Sequence, residues 1–351
     1  MKRIFCCIFC LLLSISLCAC KSTETVLKNN SSTNQPYSDV ESIYSEPQNT
    51  TDEEKEESSV PNNNSESPQC SQETPLTSSE PEVKPQPVDP PKTPDTVKIE
   101  LSQQTYIVND VNNTRGLSTK QYGFSYGIAK DGVAHNQSFV NQQTFDAFEK
   151  VDALSLDTKT QEKIMYLTFD NGYEYNNLTA DILDTLKEKD VKAAFFVTLS
   201  YVKQNPELVK RMIDEGHIVG NHSTTHPVFP TITRLKMAEE IATLDNYLRE
   251  NFNYTSPYFR FPTGAYSECS LELVTSIGFK SVFWSLAHAD WDTANQKGAE
   301  HAFSTVTSRF HKGAVILLHA VSQDNADALG DIIDEAHNQG YSFKTLDDYF
   351  K

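Results

Sequence analysis

The stretch Ile164-Met165-Tyr166-Leu167-Thr168-Phe169-Asp170-Asn171-Gly172 is followed by Leu178 to Lys189 and then by Ala193-Ala194-Phe195-Phe196-Val197. Ile164 to Phe169 reads as a buried strand ending in two polar residues. In the next segment Leu178, Ile182, Leu183 and Leu186 stand at spacings of four, one and three, the period of a helix with one buried face. Ala193 to Val197 is again strand-like. Strand, helix and strand in succession call for a parallel pair, because parallel neighbours need a crossover.

The same alternation runs to the end of the chain. Asn205-Pro206 opens a helix with proline at its first position, apolar at Leu208, Val209, Met212 and Ile213 and closed by Gly216. His217 to Gly220 reads as a third strand and Thr233 to Asn251 as a long helix. Tyr258 to Phe261, Lys280 to Trp284 and Ala314 to His319 are further strands, with helical stretches near 268–277 and 298–311. A last helix, about 324–339, ends at Gly340 before the short strand Tyr341 to Phe343. The expected fold class is α/β, a closed or nearly closed β/α barrel over 163–351, with a doubly wound open sheet as the alternative. Residues 98–162 show weak periodicity and are expected to form an N-terminal elaboration packed on that barrel.

Upstream the composition changes. The chain has 351 residues and a net charge of −18, yet its 13 glycines all lie at or after Gly116 and its 9 histidines at or after His135. Residues 21–97 hold 5 Lys against 15 acidic residues and no Gly, Phe, Trp, Arg or His. So little apolar surface cannot offset chain entropy, and the segment is expected to be a disordered acidic tether. The acidic balance excludes a nucleic-acid footprint and electrostatic docking on anionic lipid.

The N-terminus reads Lys2-Arg3, an apolar run from Ile4 to Leu17, then Cys18-Ala19-Cys20. A basic start, a short apolar core and a small residue before a cut describe a secretory signal. Leu17-Cys18-Ala19-Cys20 resembles a bacterial lipobox, which places residues 1–20 as a lipoprotein signal peptide and Cys20 as the lipidated anchor. A plain signal peptide and an uncleaved anchor are the alternatives. The expected location is the extracytoplasmic face of a bacterial membrane. Of the 7 cysteines, five fall in this region and only Cys70 and Cys269 lie beyond it, too few for a disulfide scaffold.

In a parallel barrel the chemistry sits at the C-terminal strand ends. Asp170 and Asn171 follow the first strand, and His222 and His226 the third. Arg260 ends the fourth, with Thr263 behind it. His288, Asp290 and Trp291 follow the next, and His319 closes the last long run. Five strand ends thus carry reactive or charged residues to one face. His222 and His226 suit a divalent metal, most plausibly zinc. Asp170 is placed to take a proton from water and His319 to give one to a leaving group, as amide or ester hydrolysis requires. Arg260 paired with Asp290 would orient a catalytic group, and the Thr263 N–H would meet an oxyanion.

These residues carry a resemblance. Thr168-Phe169-Asp170-Asn171-Gly172, Asn221-His222-Ser223-Thr224-Thr225-His226, Arg260-Phe261-Pro262-Thr263-Gly264, Asp290-Trp291 and Leu317-Leu318-His319 resemble, in order, the five motifs of the polysaccharide deacetylases, carbohydrate esterase family 4. The resemblance implies a distorted β/α barrel and a metalloenzyme. It implies Asp170 as base and His319 as acid, matches Arg260 and Asp290 to the family's Arg and fourth-motif Asp, and sets Trp291 and Leu317 to line an acetyl pocket. It makes His222 and His226 metal ligands. The family usually has a second Asp where this chain has Asn171, so weaker metal binding is expected. Asp170-Asn171-Gly172-Tyr173-Glu174 looks like the muramic-acid deacetylases of the spore-cortex δ-lactam pathway. That branch implies removal of the N-acetyl group of N-acetylmuramic acid from peptidoglycan strands by a monomeric enzyme. N-acetylglucosamine deacetylation and a non-catalytic glycan-binding relative are the other readings.

Overall fold

A computed structural model describes residues 95–351. The signal, the lipobox, Cys70 and all but the end of the tether lie outside these residues. The described part opens with a hairpin, β1 (Thr96–Glu100) and β2 (Thr105–Asn109), paired antiparallel. Helix α1 (Asn136–Ala147) and strand β3 (Ala153–Leu154) follow. Then come β4 (Ile164–Asn171), α2 (Leu178–Glu188), β5 (Ala194–Val197), α3 (Leu199–Gln204), α4 (Pro206–Asp214) and β6 (Ile218–Asn221). The long helix α5 (Arg234–Phe252) leads to β7 (Tyr258–Phe259), α6 (Glu268–Ser276) and β8 (Lys280–Val282). The chain ends through α7 (Ala299–Thr307), β9 (Ala314–His319), α8 (Gln323–Asn338), β10 (Ser342–Phe343) and α9 (Leu346–Tyr349).

Strands β3 to β10 form one sheet in which every ladder is parallel. Its order is β3-β8-β7-β6-β5-β4-β9. Met165 pairs with Phe343 on one side and Ala314 on the other, so β10 and β5 share one edge of β4 while β9 takes the second. The segments after β8 and β3 turn back onto β9, through a parallel bridge from Leu286 to Ile316 and an antiparallel one from Leu156 to Ala314. This curl is the distorted barrel expected from the sequence rather than the open doubly wound sheet.

Side chains alternate along each strand, and that alternation sorts the core. Met165, Leu167 and Phe169 of β4 face the helices with Phe195 and Val197 of β5 and Ile316 and Leu318 of β9. Tyr166 faces the interior with Phe196, Val282 and Val315. Two and four residues on, Thr168 and Asp170 share the inward face of Tyr166; His319 likewise shares that of Val315. The strand period therefore aims the chemistry into the barrel mouth.

The strands and helices read from the sequence after residue 163 fall close to their expected places; the short helices α3 and α9 are not among them. The elaboration differs. Ala153 and Leu154 pair in parallel with Ser281 and Val282, so β3 is a strand of the sheet itself, not a layer laid on it. A boundary at residue 163 divides a sheet that begins ten residues earlier. The hairpin inserts Tyr106 and Val108 beneath α5, and Arg234 of α5 donates to the Asn109 carbonyl.

Candidate active site

Asp170 and His319 are direct cross-strand partners in the β4–β9 ladder. Both sit on the inward face, and each has its own charged partner. Arg260, fully buried just past β7, donates from Nη1 to Asp170 Oδ1 at 2.8 Å. Its Nη2 reaches Thr168 Oγ1 at 2.9 Å and its Nε the Val282 carbonyl at 3.0 Å. The guanidinium lies 4.2 Å from the Phe196 ring centroid, and Gly220 makes room for that ring: a Cβ there would stand 2.6 Å from it.

Asp290 holds His319. Its Oδ1 meets His319 Nδ1 at 2.7 Å, and its Oδ2 accepts the His319 backbone N–H at 2.8 Å. Asn325 Nδ2 donates to the same Oδ2 at 2.5 Å. This corrects the pairing expected from sequence. Arg260 belongs with Asp170, and Asp290 belongs with His319, because β4 and β9 are neighbours and bring their two end residues side by side with one countercharge each.

The electrostatics follow. Burial alone would raise the Asp170 pKa, but Arg260 above all, then His222 and His319, hold it below the usual carboxylate range. Burial would likewise push His319 down, yet the Asp290 carboxylate raises it above an ordinary histidine. The pair is thus poised as an ionised base and a protonated acid, the separation of charge states that acid–base chemistry needs.

His222 and His226 sit on the loop after β6 with ring centroids 4.9 Å apart. His222 Nδ1 is 2.9 Å from the Arg260 carbonyl, which leaves Nε2 facing the cleft, 3.6 Å from Asp170 Oδ2. The loop is strained. Ser223 and His226 have φ of 72° and 58°, conformations that cost a non-glycine residue about 1–2 kcal/mol each. Several bonds hold it: His226 N–H to Ser223 Oγ, Ser223 N–H to Asn221 Oδ1, and Thr225 N–H to the buried Glu240 carboxylate at 2.7 Å.

The donor set can be tested against a metal. Burial, then His222, lowers the His226 pKa to about 3, and burial also lowers that of His222, so both imidazoles are neutral with lone pairs to give. Asn171 is buried; its Nδ2 donates to Thr179 Oγ1 at 3.2 Å while its Oδ1 has no hydrogen-bond partner. An unpartnered amide oxygen and two neutral imidazoles are donors of the kind a divalent ion takes. Among the described residues no group of three His, Cys, Asp or Glu side chains is arranged for one.

The remaining predicted residues lie around this centre. Leu317 is buried on β9. Trp291, 39% exposed, sets its ring 6.0 Å from that of His319. Thr263 occupies the turn Pro262–Gly264 with φ of 58°. His288 bonds Asn325 Oδ1 through Nε2 at 2.9 Å and stands 3.8 Å from Asp290 Oδ2. Sequence reasoning passed over Thr168, Asn325 and Glu240 as functional positions. Thr168 and Asn325 fall inside stretches that carried the resemblance, whereas Glu240 is one of three Glu in α5 and only packing distinguishes it.

An ionised base and an acid on the adjacent strand are what the hydrolysis of an amide or ester requires. Residues 157–282 match the family model for polysaccharide deacetylase. The peptidoglycan-N-acetylmuramic acid deacetylase PdaA of Bacillus subtilis is 44% identical over 223 residues, 62% of this chain and 83% of that protein. A solved structure of Bacillus subtilis PdaA, a family 4 carbohydrate esterase, matches with a TM-score of 0.61 at 38% identity, covering 66% of this chain and 97% of that one. The peptidoglycan-N-acetylglucosamine deacetylase PgdA of Listeria monocytogenes is 33% identical over 62% of this chain and 45% of its own. The chain belongs to the polysaccharide deacetylase family.

Proposed function

We propose that this enzyme is a peptidoglycan deacetylase that removes the N-acetyl group of N-acetylmuramic acid, the step that frees the amine for δ-lactam closure in spore cortex. The observation that carries the chemistry is the Asp170–His319 pair, each held in its working charge state by a separate partner. The similarity to the N-acetylmuramic acid deacetylase, stronger than that to the N-acetylglucosamine enzyme, supports the sugar.

Asn171, His222 and His226 would hold the metal, zinc being the expected ion. When bound, it supplies Lewis acidity toward the amide carbonyl and the attacking water. Asp170 takes a proton from that water through Oδ2, since Arg260 engages Oδ1. His319 gives its proton to the amide nitrogen as the C–N bond breaks, so acetate and a free amine leave. Asp290 keeps the imidazole oriented. Leu317 and Trp291 border the space for the acetyl methyl, and the Thr263 N–H meets the oxyanion. A glycan-binding relative without activity would gain nothing from burying Asp170, Arg260 and Asp290 around His319, each charge being costly to bury.

By the same reading the tether runs from a lipidated Cys20 at the outer face of a bacterial membrane and lets a monomeric catalytic unit reach glycan strands. The test is acetate release from muramic-acid glycans, with and without stem peptide and with and without zinc. Mass spectrometry then identifies the deacetylated sugar. Free amine on muramic acid is expected. Free amine on glucosamine alone would replace the sugar, and no acetate from any glycan would refute the activity.

A further inference from the structure

Half-buried Glu174 and buried Tyr201 and Thr179 form a polar path ending at Asn171, and the reaction outlined above uses none of them. The Tyr201 hydroxyl stands 3.2 Å from Glu174 Oε2 and 3.2 Å from Thr179 Oγ1. Asn171 Nδ2 stands 3.2 Å from the same Thr179 Oγ1. Tyr201 and Thr179 are fully buried, so these groups have little recourse to bulk water. Glu174 is fixed in turn, because its Oε1 accepts the Thr179 backbone N–H at 3.2 Å.

The protons of such a path have a forced direction. A phenol has one proton, and of its two neighbours the charged carboxylate is the stronger acceptor and can only accept. With that proton committed to Glu174, the Tyr201 oxygen is left to accept, and the Thr179 hydroxyl turns its proton there. Thr179 Oγ1 then has only lone pairs to offer Asn171. An amide can answer lone pairs only with its NH2. Its oxygen must point the other way, and Asn171 Oδ1 is the atom with no partner.

The geometry points to Glu174, Tyr201 and Thr179 as a positioning relay that fixes the Asn171 amide with its NH2 on Thr179 and its oxygen left for the ion that His222 and His226 would share. The inference rests on the reading of those three residues as the metal site. It accounts for an Asn at 171: an amide has one ligating end, so the chain supplies a device to choose it. A carboxylate has two equivalent oxygens and needs none.

The test uses the full chain. The Asn171 side-chain NH2 signal is identified in a metal-free proton–nitrogen spectrum by its loss in Asn171→Asp. It is expected to exchange with water far more slowly than an exposed amide, and faster in Thr179→Val. Fast exchange in the unsubstituted protein would overturn the relay without reference to any metal. Zinc affinity is then measured by chelator competition. Thr179→Val and Tyr201→Phe are each expected to weaken zinc about tenfold, the usual loss for an outer partner of a metal ligand. In the Asn171→Asp background the same substitutions should cost almost nothing. Equal losses in both backgrounds would mean that the path merely supports the fold, and would overturn the proposal. A protected NH2 in a protein that takes up no zinc would refute the metal site and leave the amide orientation standing.

Discussion

Arg260→Met would leave the Asp170 carboxylate buried without its countercharge. The ion pair is 2.8 Å long and Arg260 is fully buried, so solvent does little to screen it. Removing one member of such a pair costs about 3–5 kcal/mol, chiefly because the other charge is stranded. Val282 O and Thr168 Oγ1 also lose a donor, at about 1 kcal/mol or more each where water cannot enter. Adding Asp170→Asn removes the stranded charge and leaves only the second cost. Urea unfolding of both single variants and the double at pH 7 should therefore show a coupling of about 3 kcal/mol. The dependence on pH carries its own sign. In the unsubstituted protein the Asp170 pKa is lowered on folding, so the pair's contribution is present above the ordinary carboxylate range and is lost as pH falls through the lowered value. In Arg260→Met burial is opposed only by His222 and His319, and that pKa is expected to rise. The variant then gains relative stability on acidification and loses it as pH climbs through the raised value. A cost for Arg260→Met that is the same with and without Asp170, and flat in pH, would refute the pairing.

Three further outcomes are expected. Asp290→Asn removes what holds the His319 pKa above an ordinary histidine; the alkaline limb of the acetate-release profile should move to lower pH, and an unmoved limb would place the acid elsewhere. Asn171→Asp adds charge toward the ion and should tighten zinc by calorimetry; no change would mean that the position does not face the metal. Gly220→Ala drives a Cβ to 2.6 Å from the Phe196 ring that backs Arg260, and urea unfolding should show a loss of about 1–3 kcal/mol.

Strand positions were legible because most are apolar runs buried against helices, and β9 falls at Ala314–His319 as read. Strand β3 was not, since two residues give no period to detect and its pairing with β8 is a tertiary fact. The site residues were legible as strand-end polar groups. Their partners were not: Asp290 lies some thirty residues from His319 and Arg260 ninety from Asp170, and only the strand order decides which charges meet. Glu240 escaped for a related reason. A carboxylate in an amphipathic helix reads as solvated, whereas this one is turned inward to receive the His226 loop.

Because Asp170 and His319 are held opposite one another by a backbone ladder, the spacing of base and acid is a property of the sheet. Loop exchange around the cleft would therefore alter which sugar is admitted while the reacting distances stay as they are. The β4–β9 pair is the fixed jig of the enzyme, while the segments after β6 and β8 carry His222, His226 and Asp290 and have to keep those residues in place. Efforts to redirect the enzyme to other acetylated glycans belong in the positions of those segments that flank these residues.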